Sequence, residues 1–115
     1  MREAAPREIE IYLTEEGRVP FTAWFDSLRD IRVRVKIRTR LNRIRLGNFG
    51  DSASVGEGVE ELRVDFGPGY RVYYGRTGPK VVLLLCGGDK STQTQDILQA
   101  KRYWKDYKKR SGHAP

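Results

Sequence analysis

The chain has 115 residues, enough for one domain with a modest core and no covalent staples. Charged residues make up 32% of it and the net charge is +7, which predicts attraction to nucleic acid, an acidic protein or an anionic membrane surface. A lone cysteine excludes an internal disulfide, and a lone histidine, His113 in the terminal SGHAP, argues against histidine-based acid–base catalysis.

The opening MREAAPREIE lacks an apolar signal region, and the longest apolar run, Val81–Cys86, is too short to span a bilayer. A reducing cytoplasm and no membrane partner are therefore expected. Arg7–Leu13 alternates Ile9, Ile11 and Leu13 against Glu8, Glu10 and Tyr12, which reads as a strand. Thr14–Arg18 is a turn, and Pro20 suits the first turn of a helix. Phe21, Trp24, Phe25 and Leu28 then recur at helical spacing and predict a short amphipathic helix on a sheet. For Trp24, core packing is the better reading than base stacking.

Asp30–Leu46 carries two patterns at once. Ile31, Val33, Val35 and Ile37 alternate with Arg32, Arg34, Lys36 and Arg38 like a strand, whereas Val33, Ile37, Leu41 and Ile44 mark one helical face. A run this long without glycine or proline exceeds a usual strand of roughly 5–6 residues, and arginine and lysine form helices well. Length favours a helix. Eight Lys/Arg residues from Arg29 to Arg45 face a single acid, Asp30. They form a solvated face, a phosphate-contacting surface or a dock for an acidic segment, with Arg38 and Arg45 as its candidate substrate-binding residues. Gly47–Gly58 is a polar, glycine-rich loop whose length suggests mobility or a functional role.

Val59–Ser91 reads as three short strands joined by two glycine turns. Leu62, Val64 and Phe66 share one face, and Glu61, Arg63 and Asp65 the other. After Gly67–Gly69, the residues Tyr70, Val72 and Tyr74 lie opposite in facing to Arg71 and Tyr73. If Gly67–Gly69 is a three-residue loop, Phe66 faces Tyr70, Asp65 faces Arg71 and Arg63 faces Tyr73. Arg63, Asp65, Arg71 and Tyr73 then share a polar face suited to a polyanion. Gly75–Pro79 makes the second turn, and Lys80–Gly87 is apolar on both parities, as in a strand covered on both sides. Cys86 within it reads as a buried small residue, not a nucleophile. Thr92 and Gln95 offer a capping box for a last helix running to about Lys109, with Ile97, Ala100, Trp104 and Tyr107 as its buried stripe.

Gly87-Gly88-Asp89-Lys90-Ser91 lies between a strand and a helix start but lacks the spacing of a P-loop, and Asp89 would repel a triphosphate. A helix start with an adjacent lysine can still hold one phosphodiester; the other reading of Lys90 is a solvated turn residue. Glu60 and Glu61 are neighbours on a strand, so they point to opposite faces and make a poor acid/base pair. Asp65 and Arg71 are either a cross-strand ion pair or part of a phosphate site. No His/Cys/Asp/Glu cluster has zinc-like spacing, so neither metal nor other cofactor is expected.

Taken together, Glu61-Leu62-Arg63, Gly69-Tyr70-Arg71-Val72-Tyr73-Tyr74, Leu83–Ser91 (LLLCGGDKS) and Ala100–Lys109 (AKRYWKDYKK), in that order and spacing, resemble the RelE/ParE superfamily of toxins from type II toxin–antitoxin modules. The resemblance is closest to the HigB-like, or addiction-module killer, branch and covers Ile9 to Arg110. It implies one α+β domain across residues 1–115, with loose ends near 1–6 and 111–115. The implied fold is a small antiparallel sheet in the order β-α-α-β-β-β-α, two N-terminal helices packed on it and a C-terminal helix.

The resemblance also implies a cytoplasmic, metal-independent endoribonuclease that cuts mRNA on the ribosome. Its implied partner is a small antitoxin, usually of helix-turn-helix type. On that pattern Arg71 stabilises charge on the scissile phosphate, Arg63 positions the RNA backbone, Lys90 neutralises the phosphate or leaving oxygen, and Tyr73 orients RNA. The 2′-OH attacks the adjacent phosphorus, and the general base stays unassigned. The alternative within the same superfamily is a ParE-like, non-enzymatic inhibitor of DNA gyrase.

Overall fold

A computed structural model describes residues 6–112. His113 and most of the expected loose ends lie outside the described residues. The elements are β1 (Glu8–Ile11), α1 (Pro20–Ser27), α2 (Ile31–Arg45), β2 (Ser52–Gly56), β3 (Val59–Val64), β4 (Tyr70–Thr77), β5 (Val81–Asp89) and α3 (Gln93–Arg110), with a 3₁₀ turn at Lys90–Thr92. They form an α+β architecture around a five-stranded sheet ordered β1-β5-β4-β3-β2. The β1–β5 pair is parallel and the others are antiparallel, so the sheet is mixed and not the purely antiparallel one expected.

The arginine-rich segment is helical because a helix buries more of it. Val33, Ile37, Leu41 and Ile44 are all buried, against Leu62, Val64, Val72, Tyr74, Val82 and Leu84 of the sheet. Ile31 and Val35, which a strand would have turned inward with them, stay 70% and 52% exposed. Each buried aliphatic side chain contributes about 1.5–3 kcal/mol, so the helical stripe outweighs the two residues left outside. Asp30 caps the helix by accepting from Arg32 N at 2.9 Å.

On the other side of the sheet, Ala100 and Trp104 of α3 are buried against Val59, Tyr73, Leu83, Leu85 and Cys86. Two glycines admit the tryptophans: a Cβ at Gly75 would collide with the Trp104 ring, and one at Gly87 with Trp24. Trp24 is thus a packing residue. β5 is covered on both faces as expected, with Val82 and Leu84 in one core and Leu83, Leu85 and Cys86 in the other. Burial pushes the Cys86 thiol up to about 12, so it is inert as a nucleophile.

Four further sequence expectations need correction. The supposed loop Gly47–Gly58 contains a strand, β2, joined to β3 through Glu57 and Gly58, which both adopt positive φ (55° and 85°). Such a two-residue turn matches the twist of a hairpin, and it adds a strand to the expected element order. Of the alternating apolar residues Ile9, Ile11 and Leu13, only Ile9 packs inward, on the α2-side core; Ile11 and Leu13 are 45% and 52% exposed, and Tyr12, just past β1, is buried on the α3 side. The start of α3 is capped differently: Asp89 accepts from Ser91 N at 2.8 Å, and the Thr92 hydroxyl donates to Asp96 Oδ2 at 2.5 Å. Finally, β3 and β4 pair with Val64 opposite Tyr70, leaving Asp65–Gly69 as a five-residue loop. Gly67 and Gly69 take positive φ (56° and 84°), which widens the turn by one residue on each flank. Among the described residues, no helix is long and apolar enough to cross a membrane.

Candidate functional site

The wider turn shifts the register by two and so keeps every side chain on its expected face. Arg63 now lies directly opposite Arg71, and Glu61 opposite Tyr73. Arg63, Arg71 and Lys90 line one open pocket of about 220 Å³ with Asp51, Asp65 and the turn Gly67–Gly69. Lys90 is brought there by the chain itself, since its backbone N–H donates to Gly69 O at 3.0 Å, tying the start of the 3₁₀ turn to the β3–β4 loop. Asp51 comes from the segment before β2, held by Arg40 of α2. That guanidinium bonds the carbonyls of Phe49 (3.3 Å), Asp51 (3.2 Å) and Arg63.

Beneath the pocket sits Glu61, only 3% exposed. Its Oε2 accepts from Arg63 Nε at 3.2 Å, and its Oε1 from Gln93 Nε2 at 2.7 Å and Tyr73 OH at 3.4 Å. Arg71 Nε lies 3.5 Å from Oε1 but is buried without a hydrogen bond, so that contact is an ion pair alone. Arg71 also donates from Nη1 to Tyr70 O at 3.2 Å. Its side chain is 12% exposed, against 40% for Arg63. Arg63 reaches Asp51 Oδ1 at 3.4 Å on its exposed side.

Gly88, paired with Arg71 across β4 and β5, leaves room for the Asp96 carboxyl to settle on the sheet, where a Cβ would collide with Oδ2. Burial there raises the Asp96 carboxyl above its ordinary range. Burial, with Glu61 and Asp96 nearby, holds the Tyr73 phenol protonated well beyond the usual tyrosine range.

The structure therefore brings together the three candidate catalytic residues and places the three candidate substrate-binding ones outside their pocket. Tyr73 is fully buried in the α3-side core and presents no face to a base. It shares the polar parity as expected, but α3 covers that part of the face. Arg38 and Arg45 belong to α2, on the opposite side of the sheet. Arg38 lies 5.2 Å over the Phe25 ring, Arg45 donates to Asn42 Oδ1 at 2.6 Å, and both line a separate groove beside Ile9, Ile11 and Phe21. The expected Asp65–Arg71 pairing is replaced by Glu61–Arg71, because Asp65 stands beyond the last paired residues.

Glu61 was weighed from the sequence only as half of a poor acid/base pair with Glu60, and Gln93 and Asp51 were given no role there. For Glu61 the signal was there, because it has the same strand parity as Arg63. Gln93 and Asp51 come from distant segments and left no such trace.

Chemically, the pocket offers three cationic side chains to an anion, with the acids Asp51 and Asp65 at its wall. Among the described residues, no three His, Cys, Asp or Glu side chains are grouped as metal ligands. No family model matches the sequence. A protein of Haemophilus influenzae, described as an uncharacterized protein, is 52% identical over 81 residues, which is 70% of this chain and 82% of that protein.

Proposed function

This chain belongs to the family of that Haemophilus influenzae protein, and we propose that it is the toxin of a type II toxin–antitoxin module, a RelE/ParE-superfamily endoribonuclease that cuts mRNA at the ribosome in the cytoplasm. The observation that carries the reading is the convergence of Arg63, Arg71 and Lys90 on one open pocket. In this reaction the 2′-oxygen forms a bond to the adjacent phosphorus while the bond from phosphorus to the 5′-oxygen breaks. The products are a 2′,3′-cyclic phosphate and a 5′-OH. Arg71 and Lys90 stabilise the charge that builds on the phosphoryl and leaving oxygens, and Arg63 holds the backbone in line. Rate acceleration then comes from positioning and preorganised charge. Asp51 and Asp65 are the pocket's candidates for taking the 2′-OH proton.

Primer extension on cells expressing the chain tests this directly. New 5′ ends within translated reading frames are the expected result. Intact transcripts with trapped gyrase–DNA complexes would instead establish the second reading, a ParE-like inhibitor. One observation favours that alternative: Arg71 is tied into a buried ion pair and Tyr73 is sequestered, leaving the pocket without an exposed tyrosine for base stacking. In either case a small helix-turn-helix antitoxin is the expected neutralising partner.

A further inference from the structure

Arg63 and Arg71 are direct cross-strand partners. Side chains so placed have Cβ atoms about 4.5–5.5 Å apart, and like charges there repel. Left to themselves, two such guanidiniums would swing apart into solvent. The structure holds a buried carboxylate between them instead. Glu61 precedes Arg63 by two residues on the same face of β3, engages Arg63 Nε through one oxygen at 3.2 Å and faces Arg71 Nε through the other at 3.5 Å. The carboxylate is itself fixed by two further side chains, through Tyr73 OH of β4 and Gln93 Nε2 from the first turn of α3.

We propose that Glu61 is the positioning residue of this pocket, holding Arg63 and Arg71 by their Nε edges so that both guanidiniums converge on one RNA phosphodiester. This deepens the nuclease reading and rests on it. Both Nε edges face Glu61 from below, Arg63 Nη1 also meets Asp51 and Arg71 Nη1 the Tyr70 carbonyl, so the two Nη2 groups are the ones left to phosphate oxygens. The carboxylate also cancels one of the two guanidinium charges. Removing its charge therefore strengthens general anion binding while loosening the geometry that chemistry needs. A side chain that merely supported the fold would lower rate and affinity only in proportion to the folded fraction.

Three measurements on the full chain decide the matter. In wild-type protein, the Nε–H signals of Arg63 and Arg71 in a ¹⁵N NMR spectrum are expected to be resolved and protected from solvent exchange. In Glu61→Gln, both lose that protection. Single-turnover cleavage on programmed ribosomes, normalised to folded protein, should fall at least tenfold in Glu61→Gln. Affinity for a non-cleavable 2′-O-methyl RNA oligonucleotide should hold or tighten, with a steeper salt dependence. Glu61→Asp, which keeps the charge but shortens the reach, should recover part of the rate; it also serves if the glutamine variant does not fold.

Wild-type Nε–H signals that exchange freely, or a folded Glu61→Gln that cleaves at the wild-type rate, would overturn the proposal. So would a loss of rate matched by an equal loss of oligonucleotide affinity. If the wild-type protein cuts no RNA, the nuclease reading fails separately, and the NMR and oligonucleotide measurements still decide the role of Glu61.

Discussion

Glu60 and Glu61 are the same side chain at adjacent positions of β3, and strand alternation sends them to opposite faces with opposite consequences. On the α2 face, Glu60 accepts from Arg76 at 2.8 and 3.0 Å and from Tyr74 OH at 2.9 Å, and the Arg76 guanidinium lies 3.8 Å over the Phe49 ring. One carboxylate meets one guanidinium, and the account is closed. On the α3 face, Glu61 is shared by two guanidiniums, with Lys90 on the wall of the same pocket. Two acids at the wall, Asp51 at 3.4 Å from Arg63 and Asp65, bring the carboxylates to three against three cations. The first arrangement stabilises the hairpin; the second gathers charges of both signs around an opening. That convergence, and not the longer arginine run of α2, is why the α3-face pocket is the proposed site of chemistry.

The sharpest way to break the comparison is to remove two of the pocket's cations. Arg71→Ala with Lys90→Ala should lower RNA cleavage by at least a hundredfold, since one preorganised charge of this kind is worth about 3 kcal/mol. A folded double variant with full activity would end the site assignment. The tyrosines beside the two glutamates sharpen the comparison next. Tyr74 is pushed up to about 12 chiefly by burial, and Tyr73 moves the same way. A phenol whose folded pKa is raised stabilises the native state fully below its unfolded value near 10 and loses that contribution as pH rises through the folded value. The urea midpoint should therefore fall between pH 10 and 12, and Tyr74→Phe should flatten the fall.

Smaller effects separate structure from activity. Arg76→Ala leaves Glu60 with only its tyrosine partner and strips the nearer of two guanidiniums from the Phe49 ring, so stability should drop by about 1–3 kcal/mol. Cleavage per folded molecule should stay within about twofold. The least consequential change is Arg38→Ala with Arg45→Ala, on the far side of the sheet. Cleavage of RNA by this variant should also remain within about twofold; a large loss would mean that substrate crosses both faces.

Periodicity made most of this fold legible. The buried stripes of α2 and α3 stand where 3.6-residue spacing puts them, and β5 carries the two-sided apolar signature of a central strand. Facing within β3 and β4 was readable too, because a two-residue register shift does not change parity. What periodicity could not supply was loop closure. Gly67-Pro68-Gly69 permits either a three- or a five-residue turn, and only packing chooses, placing Arg71 opposite Arg63 instead of Asp65. β2 was hidden because Ser52, Ala53 and Ser54 carry little apolar contrast and are recruited by the Glu57–Gly58 turn. Tyr73 and Glu61 were misjudged together for one reason. Their face is polar at the open end and covered by α3 farther along, and where the cover begins depends on Gln93 and Asp96, more than thirty residues from Glu61 in the chain.

The central claim is that Arg63, Arg71 and Lys90 jointly grip a phosphodiester, and titration of ¹⁵N-labelled protein with a 2′-O-methyl RNA tetranucleotide tests it most directly. Shifts should concentrate at Gly67, Gly69, Lys90 and the side chains of Arg63 and Arg71, and weaken with salt. Shifts confined to α2 around Arg38 and Arg45, or no saturable change at the pocket, would contradict it.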